Sequence, residues 1–120
     1  MTHVVIADDS AVMRKIVVRT LRQAGFDGLE ISEAADGAQL VTMVCDLEPD
    51  LVLSDWNMPV QTGIEALRQI RARGFTMPFG FVTSEGSTMM RDEAAEAGAT
   101  FLVTKPFTAE DVRDAIGALV

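Results

Sequence analysis

Four charged side chains in this sequence stand where they could do chemistry together. Asp8 and Asp9 close the apolar run Val4-Val5-Ile6-Ala7, Asp55 closes Leu51-Val52-Leu53-Ser54, and Lys105 closes Phe101-Leu102-Val103-Thr104. A charged residue ending a buried strand is pushed into the loop beyond it, and in open α/β sheets the loops at the carboxyl ends of the strands hold the ligand. Three acids and one lysine would therefore share a rim. Two carboxylates about 4 Å apart repel by on the order of 4 kcal/mol at an effective dielectric near 20, so the cluster calls for protonation or a cation. Mg²⁺ suits it: a hard ion that takes oxygen ligands, keeps several waters, and needs one or two carboxylates beside a substrate phosphate. Asp55 could then attack a phosphoryl group as a nucleophile, with Lys105 neutralising the phosphoryl oxygens. Thr83, closing Phe79-Gly80-Phe81-Val82, could donate to those oxygens too. Each residue also has a plainer role: Asp9 as the N-cap of a helix starting at Ser10, Lys105 as a surface lysine, Thr83 as the cap of a turn.

The elements that must position these residues alternate between strand and helix. His3 to Asp8 reads as a strand, and Ser10 to Ala24 as a helix whose Met13, Ile16, Val17, Leu21 and Ala24 recur at helical spacing before Gly25. Leu29 to Ala34 alternates apolar and polar, the pattern of an edge strand. Asp36-Gly37 opens a helix to about Leu47, and Glu48-Pro49-Asp50 breaks it ahead of a buried strand, Leu51 to Asp55. A helix from Gly63 to Arg73 turns Ile64, Leu67 and Ile70 inward. The strand Phe79 to Thr83, a helix from about Thr88 to Ala97 and the strand Phe101 to Thr104 follow. Thr108, three residues before Asp111, caps the last helix. Four of the five strands are continuous apolar runs, as in a parallel sheet covered by helices on both faces. Right-handed crossovers then wind the chain into a doubly wound sheet.

Composition narrows the class. A length of 120 residues fits one domain with one core, and an apolar share of 48% excludes a disordered tail. The chain lacks an apolar run near the roughly 20 residues that cross a bilayer, and no signal-peptide pattern opens it, so a soluble, cytoplasmic protein without membrane association is expected. The lone cysteine, Cys45, reads as core packing. A net charge of −8 argues against nucleic acid as a partner. Charge is unevenly spread: Arg14, Lys15, Arg19 and Arg22 lie between Ser10 and Gly25 without an acid among them, a solvated helix face that as a block could steer an acidic partner.

Ala7-Asp8-Asp9-Ser10, Ser54-Asp55-Trp56-Asn57-Met58-Pro59 with Gly63, Val82-Thr83-Ser84-Glu85, and Thr104-Lys105-Pro106-Phe107 resemble the four motif blocks of the receiver domain of bacterial response regulators. The similarity spans the whole chain and is greatest to the single-domain regulators of chemotaxis. Singly the blocks are weak signals; four in order at these separations are specific. The resemblance implies a flavodoxin-like fold, a five-stranded parallel sheet of order 2-1-3-4-5 with five helices on its two faces. It implies that Asp55 accepts a phosphoryl group from a histidine kinase, a phosphotransfer protein or a small phosphodonor. Asp9 and Asp55 would bind Mg²⁺ directly, Asp8 through water, and Asn57 through its backbone carbonyl, while Thr83 and Lys105 hold the phosphoryl oxygens. Lys105-Pro106 would be cis, and Asn57 with Glu85 would tune loss of the phosphoryl group towards a short lifetime.

The chain departs from the family where an aromatic residue usually stands three positions before the lysine: here it is Leu102. Phe101 cannot replace it, since neighbouring strand residues face opposite ways. The switch is expected to run through Thr83 and the loop Ser84 to Ser87 into the next helix, with one of Met89 and Met90 packed inward and only small changes near Leu102. Thr62, where the family has an acid, is a looser departure. A monomeric single receiver domain spanning residues 1–120 is expected, without an output domain, acting through a downstream protein such as a flagellar motor component or within a phosphorelay. Two other classes are weighed: a Mg²⁺-dependent hydrolase working through an aspartyl phosphate, for which no substrate cap or dedicated acid and base is visible, and a flavin module, whose phosphate Asp8 and Asp9 would repel.

Overall fold

The computed structural model describes residues 2–119. Five strands, β1 (His3–Ala7), β2 (Glu30–Ala34), β3 (Leu51–Ser54), β4 (Phe79–Thr83) and β5 (Phe101–Thr104), form one parallel sheet in the order β2-β1-β3-β4-β5. The helices α1 (Ala11–Gln23), α2 (Gly37–Leu47), α3 (Gly63–Ala72), α4 (Thr88–Ala97) and α5 (Ala109–Ile116) connect the strands and follow the last of them. This is the flavodoxin-like order expected, with β2 at an edge.

Strand alternation sorts the core into two halves. Val5, Ala7, Val52, Phe79 and Phe81 face α2, α3 and α4, whereas Val4, Ile6, Leu51, Leu53 and Val82 face α1 and α5. Strands β1, β3 and β4 are buried almost throughout because helices cover both faces. β5 differs from the expectation of full cover: it forms the other edge, and Phe101, Leu102 and Val103 are only half-buried.

Helix starts are set by side-chain caps. Ser10, not Asp9, is the N-cap of α1, its hydroxyl accepting from the Met13 N–H at 3.2 Å. The inward stripe of α1 is also narrower than its apolar spacing suggests, comprising Val17, Thr20 and Leu21 while Ile16 is 37% exposed. Thr20 tolerates burial because its hydroxyl donates to the Ile16 carbonyl within the helix. Thr62 opens α3 with a complete capping box, its hydroxyl accepting from the Glu65 N–H and Glu65 accepting from the Thr62 N–H. Thr108 and Asp111 do the same for α5. Met90 packs against the core while Met89 is exposed, and Cys45 lies half-buried with the Arg73 guanidinium 3.2 Å from its sulfur.

Candidate functional site

The parallel sheet brings the ends of β1, β3 and β5 together, and with them the acids. Carboxylate oxygens of Asp8, Asp9 and Asp55 lie within 4.8 Å of one another. Asp8 is buried; one of its oxygens accepts from the Ser10 N–H at 2.9 Å and the other from Lys105 Nζ at 3.0 Å. Asp55 is held similarly, by the Trp56 N–H at 2.7 Å and by Lys105 Nζ at 3.3 Å. Lys105 thus bridges the ends of β1 and β3 from a position on the far edge of the sheet. Its own backbone is fixed by the N–H bond to the Thr83 carbonyl at 2.7 Å, and the Lys105–Pro106 peptide is cis, as the resemblance implies.

Burial pushes the Asp55 carboxyl above the ordinary carboxylate range. Lys105 pulls it back, the neighbouring Asp8 raises it again, and the Trp56 N–H lowers it. Loss of hydration is the largest of these effects, the expected order when a carboxylate sits under a rim of protein. The donor set is all oxygen, and three carboxylates face one ammonium, so the residues present fit a hard divalent cation.

Loop packing fixes the height of Asp55. Gly63, the first residue of α3, lies so close to the Asp55 carbonyl that a side chain there would overlap it. In the same loop the Gln61 N–H closes a three-residue turn onto the Pro59 carbonyl at 2.8 Å, with Val60 at its apex in the left-handed region, φ 70°. A β-branched residue strains that conformation by about 1–2 kcal/mol, and Val60 is solvent-exposed. Trp56 is buried against Phe81, ring centroids 4.8 Å apart, immediately beside the acid.

The other expected residues sit around this centre, and among the described residues none of their side chains hydrogen-bonds to its acids or to Lys105. Thr83 is fully buried at the end of β4, its hydroxyl oxygen accepting from the Glu85 N–H at 3.4 Å. Asn57 and Glu85 are exposed in the loops after β3 and β4. Leu102 packs towards α4 with the first half of the core and Phe101 with the second, so the two do face opposite ways.

Two arginines outside the expected site complete the surroundings, and one of them, Arg14, leaves the solvated basic face expected of α1, since its side chain is only 17% exposed. Arg14 of α1 donates to the Asp8 carbonyl at 2.7 Å and to Glu33 of β2 at 2.8 Å. Arg91 of α4 donates to the Gly86 carbonyl at 3.1 Å and to the Leu102 carbonyl at 3.2 Å, tying the loop after β4 to β5. Neither contact has a local signal. Arg14 reaches a strand that begins well beyond its helix, and Arg91 grips backbone, which no residue type betrays.

The sheet order, the three acids at one rim and the lysine bridging two of them define a phosphoacceptor signalling domain, and the chain belongs to the response regulator receiver domain family, whose description it matches over residues 4–117. Among curated proteins it is 39% identical over 115 residues to the chemotaxis protein CheY of Pseudomonas aeruginosa, covering 94% of this chain and 91% of that one. It is 37% identical over 113 residues to the chemotaxis protein CheY-3 of Vibrio cholerae, covering 92% and 85%. Its structure resembles that of the chemotaxis response regulator CheY4 of Vibrio cholerae with a TM-score of 0.86 at 32% identity, over 100% of this chain and 99% of that one. A LuxR-family two-component response regulator from Aurantimonas is matched with a TM-score of 0.88 at 28% identity. Among the described residues no helix is long and apolar enough to cross a membrane.

Proposed function

We propose that Asp55 is the phosphoacceptor and that the cluster of Asp8, Asp9 and Asp55 binds Mg²⁺, with the Asn57 backbone carbonyl as a further ligand. The observation that carries this reading is the convergence of the three carboxylates with Lys105 Nζ within hydrogen-bond reach of both Asp8 and Asp55. An oxygen of Asp55 attacks the phosphorus of a phosphohistidine or acyl phosphate; the new P–O bond forms as the bond to the donor breaks, and the bonding pair leaves with the donor. Lys105 and the Thr83 hydroxyl then pair with the phosphoryl oxygens. A bound Mg²⁺ supplies charge neutralisation for those oxygens and for the acids around them. Asp9 and Asp55 would hold the ion directly and Asp8 through water. Asn57 and Glu85, exposed and polar in the loops after β3 and β4, admit water to the acyl phosphate, so the signal is short-lived.

The names of the curated relatives support a role in chemotaxis; we place a histidine kinase or phosphotransfer protein upstream, and a flagellar motor component is the first downstream target to test. We take the chain to act as a monomer in the cytoplasm. Incubation with acetyl phosphate and Mg²⁺ should label the protein to one equivalent, decaying within minutes. Asp55→Asn should abolish labelling, as should chelation of the metal. Full labelling of Asp55→Asn defeats the assignment. Survival of the label for hours defeats the short lifetime, and many turnovers of a phosphate ester would favour a hydrolase.

A further inference from the structure

We propose that Arg14 is a positioning residue for the carboxylate cluster, holding the Asp8–Asp9 peptide so that Asp9 faces Asp55; the inference rests on the metal-binding reading above. Of the three acids, Asp8 and Asp55 each have two hydrogen-bond donors on their side chains. The Asp9 side chain is exposed and has no such partner among the described residues. Its direction is therefore set by the backbone on either side of it. On one side the Ser10 N–H is bound to Asp8 Oδ1. On the other, Arg14 Nη1 donates to the Asp8 carbonyl, which belongs to the peptide that leads into Asp9. The guanidinium cannot swing away, because its Nε donates to Glu33 Oε1 and the Arg14 side chain is only 17% exposed.

Two effects of Arg14 on a divalent cation oppose each other. As a cation it repels the metal, so removing it would tighten binding. As a brace it keeps Asp9 in place, so removing it would weaken binding. The brace should win, because Glu33 at 2.8 Å already offsets most of the guanidinium's field, whereas nothing else grips the Asp8 carbonyl among the described residues. Outer partners of metal ligands carry effects of about tenfold or more on affinity. Lysine is a poor substitute, since one ammonium lacks the planar fork that serves a carbonyl and a carboxylate at once.

The test is a Mg²⁺ titration of the whole chain followed by Trp56 fluorescence, together with the amide resonances of Asp9 and Ser10 in metal-free protein. Arg14→Ala should weaken Mg²⁺ binding about tenfold and displace both amides without metal. Arg14→Lys should stay weak, whereas Glu33→Gln, which keeps an acceptor for Nε but leaves the guanidinium's charge unbalanced, should weaken binding less than Arg14→Ala and leave both amides in place. Native protein that binds Mg²⁺ while Arg14→Ala binds it equally or more tightly overturns the inference and leaves the metal site standing. Native protein without any Mg²⁺ response overturns the metal reading, and the inference falls with it.

Discussion

Asp55 is a carboxylate kept in a place that does not favour its charge. Burial and the neighbouring Asp8 together raise its pKa more than Lys105 and the Trp56 N–H lower it, so the folded protein holds a proton here at a pH where the unfolded chain has released it. The folded state then binds more protons than the unfolded state between the ordinary carboxylate range and the raised value, and stability falls as pH rises through that window. Without metal, Asp55→Asn should melt above the native protein at pH 7, and the gap should close as pH drops into the carboxylate range. Lys105 keeps Asp8 at 3.0 Å in that variant, so its own partner is not lost. A lower melting temperature for Asp55→Asn at pH 7, followed by circular dichroism in chelator, would show that the Lys105 pair outweighs burial. Asp8, Asp55 and Lys105 were legible in the sequence because each ends an apolar run. Asp9 was less so: its role as a cap passes to Ser10, whose hydroxyl reaches the Met13 N–H.

At the level of elements, helix ends were the most readable features and the most easily undervalued. Thr62 carries its own account in Thr62-Gly63-Ile64-Glu65, a capping box visible without any relative, although comparison with the family made it look like a loose departure. What joins one element to the next was harder to read. Arg71, in the last turn of α3, donates through Nη2 and Nε to the Gly98 carbonyl at 2.8 and 3.1 Å and through Nη1 to the Phe75 carbonyl at 3.0 Å. Gly98 ends α4 in the left-handed region, φ 100°, so a cation here also meets the negative end of that helix. Burial lowers the Arg71 pKa but leaves it charged at neutral pH. Arg71→Ala should destabilise the protein by about 1.5 kcal/mol, the low end for hydrogen bonds from a charged group at a partly exposed position. Urea unfolding should show a lower midpoint with an unchanged slope; an unchanged midpoint would mean the brace contributes nothing net.

Across the whole molecule, the sheet order followed from the motif blocks, whereas coupling between the rim and the α4–β5 face did not. The sequence suggests a switch that leaves Leu102 undisturbed, because leucine is small and Phe101 faces the other way. The structure adds a route around that argument, since Arg91 bonds the loop at Gly86 to the backbone of Leu102 regardless of its side chain. With beryllofluoride as a phosphoryl mimic, amide shifts should run from Ser84 to Arg91 and reach Val103, whose N–H shares a peptide with the Leu102 carbonyl. Thr83→Ala should suppress all of them, and Arg91→Ala only those on β5. Shifts at Val103 that survive in Arg91→Ala would assign the coupling to another path. The bridge between Asp8 and Lys105 has a different kind of consequence. Its two residues are 97 positions apart, and β5, which supports Lys105, is the last strand to be laid down. During synthesis Asp8 and Asp55 are therefore made before the lysine that pairs with both, and the bridge closes only once β5 and the turn after it have been translated. A chain that misplaces either its first or its last strand leaves the acids of the rim without the lysine that bridges them.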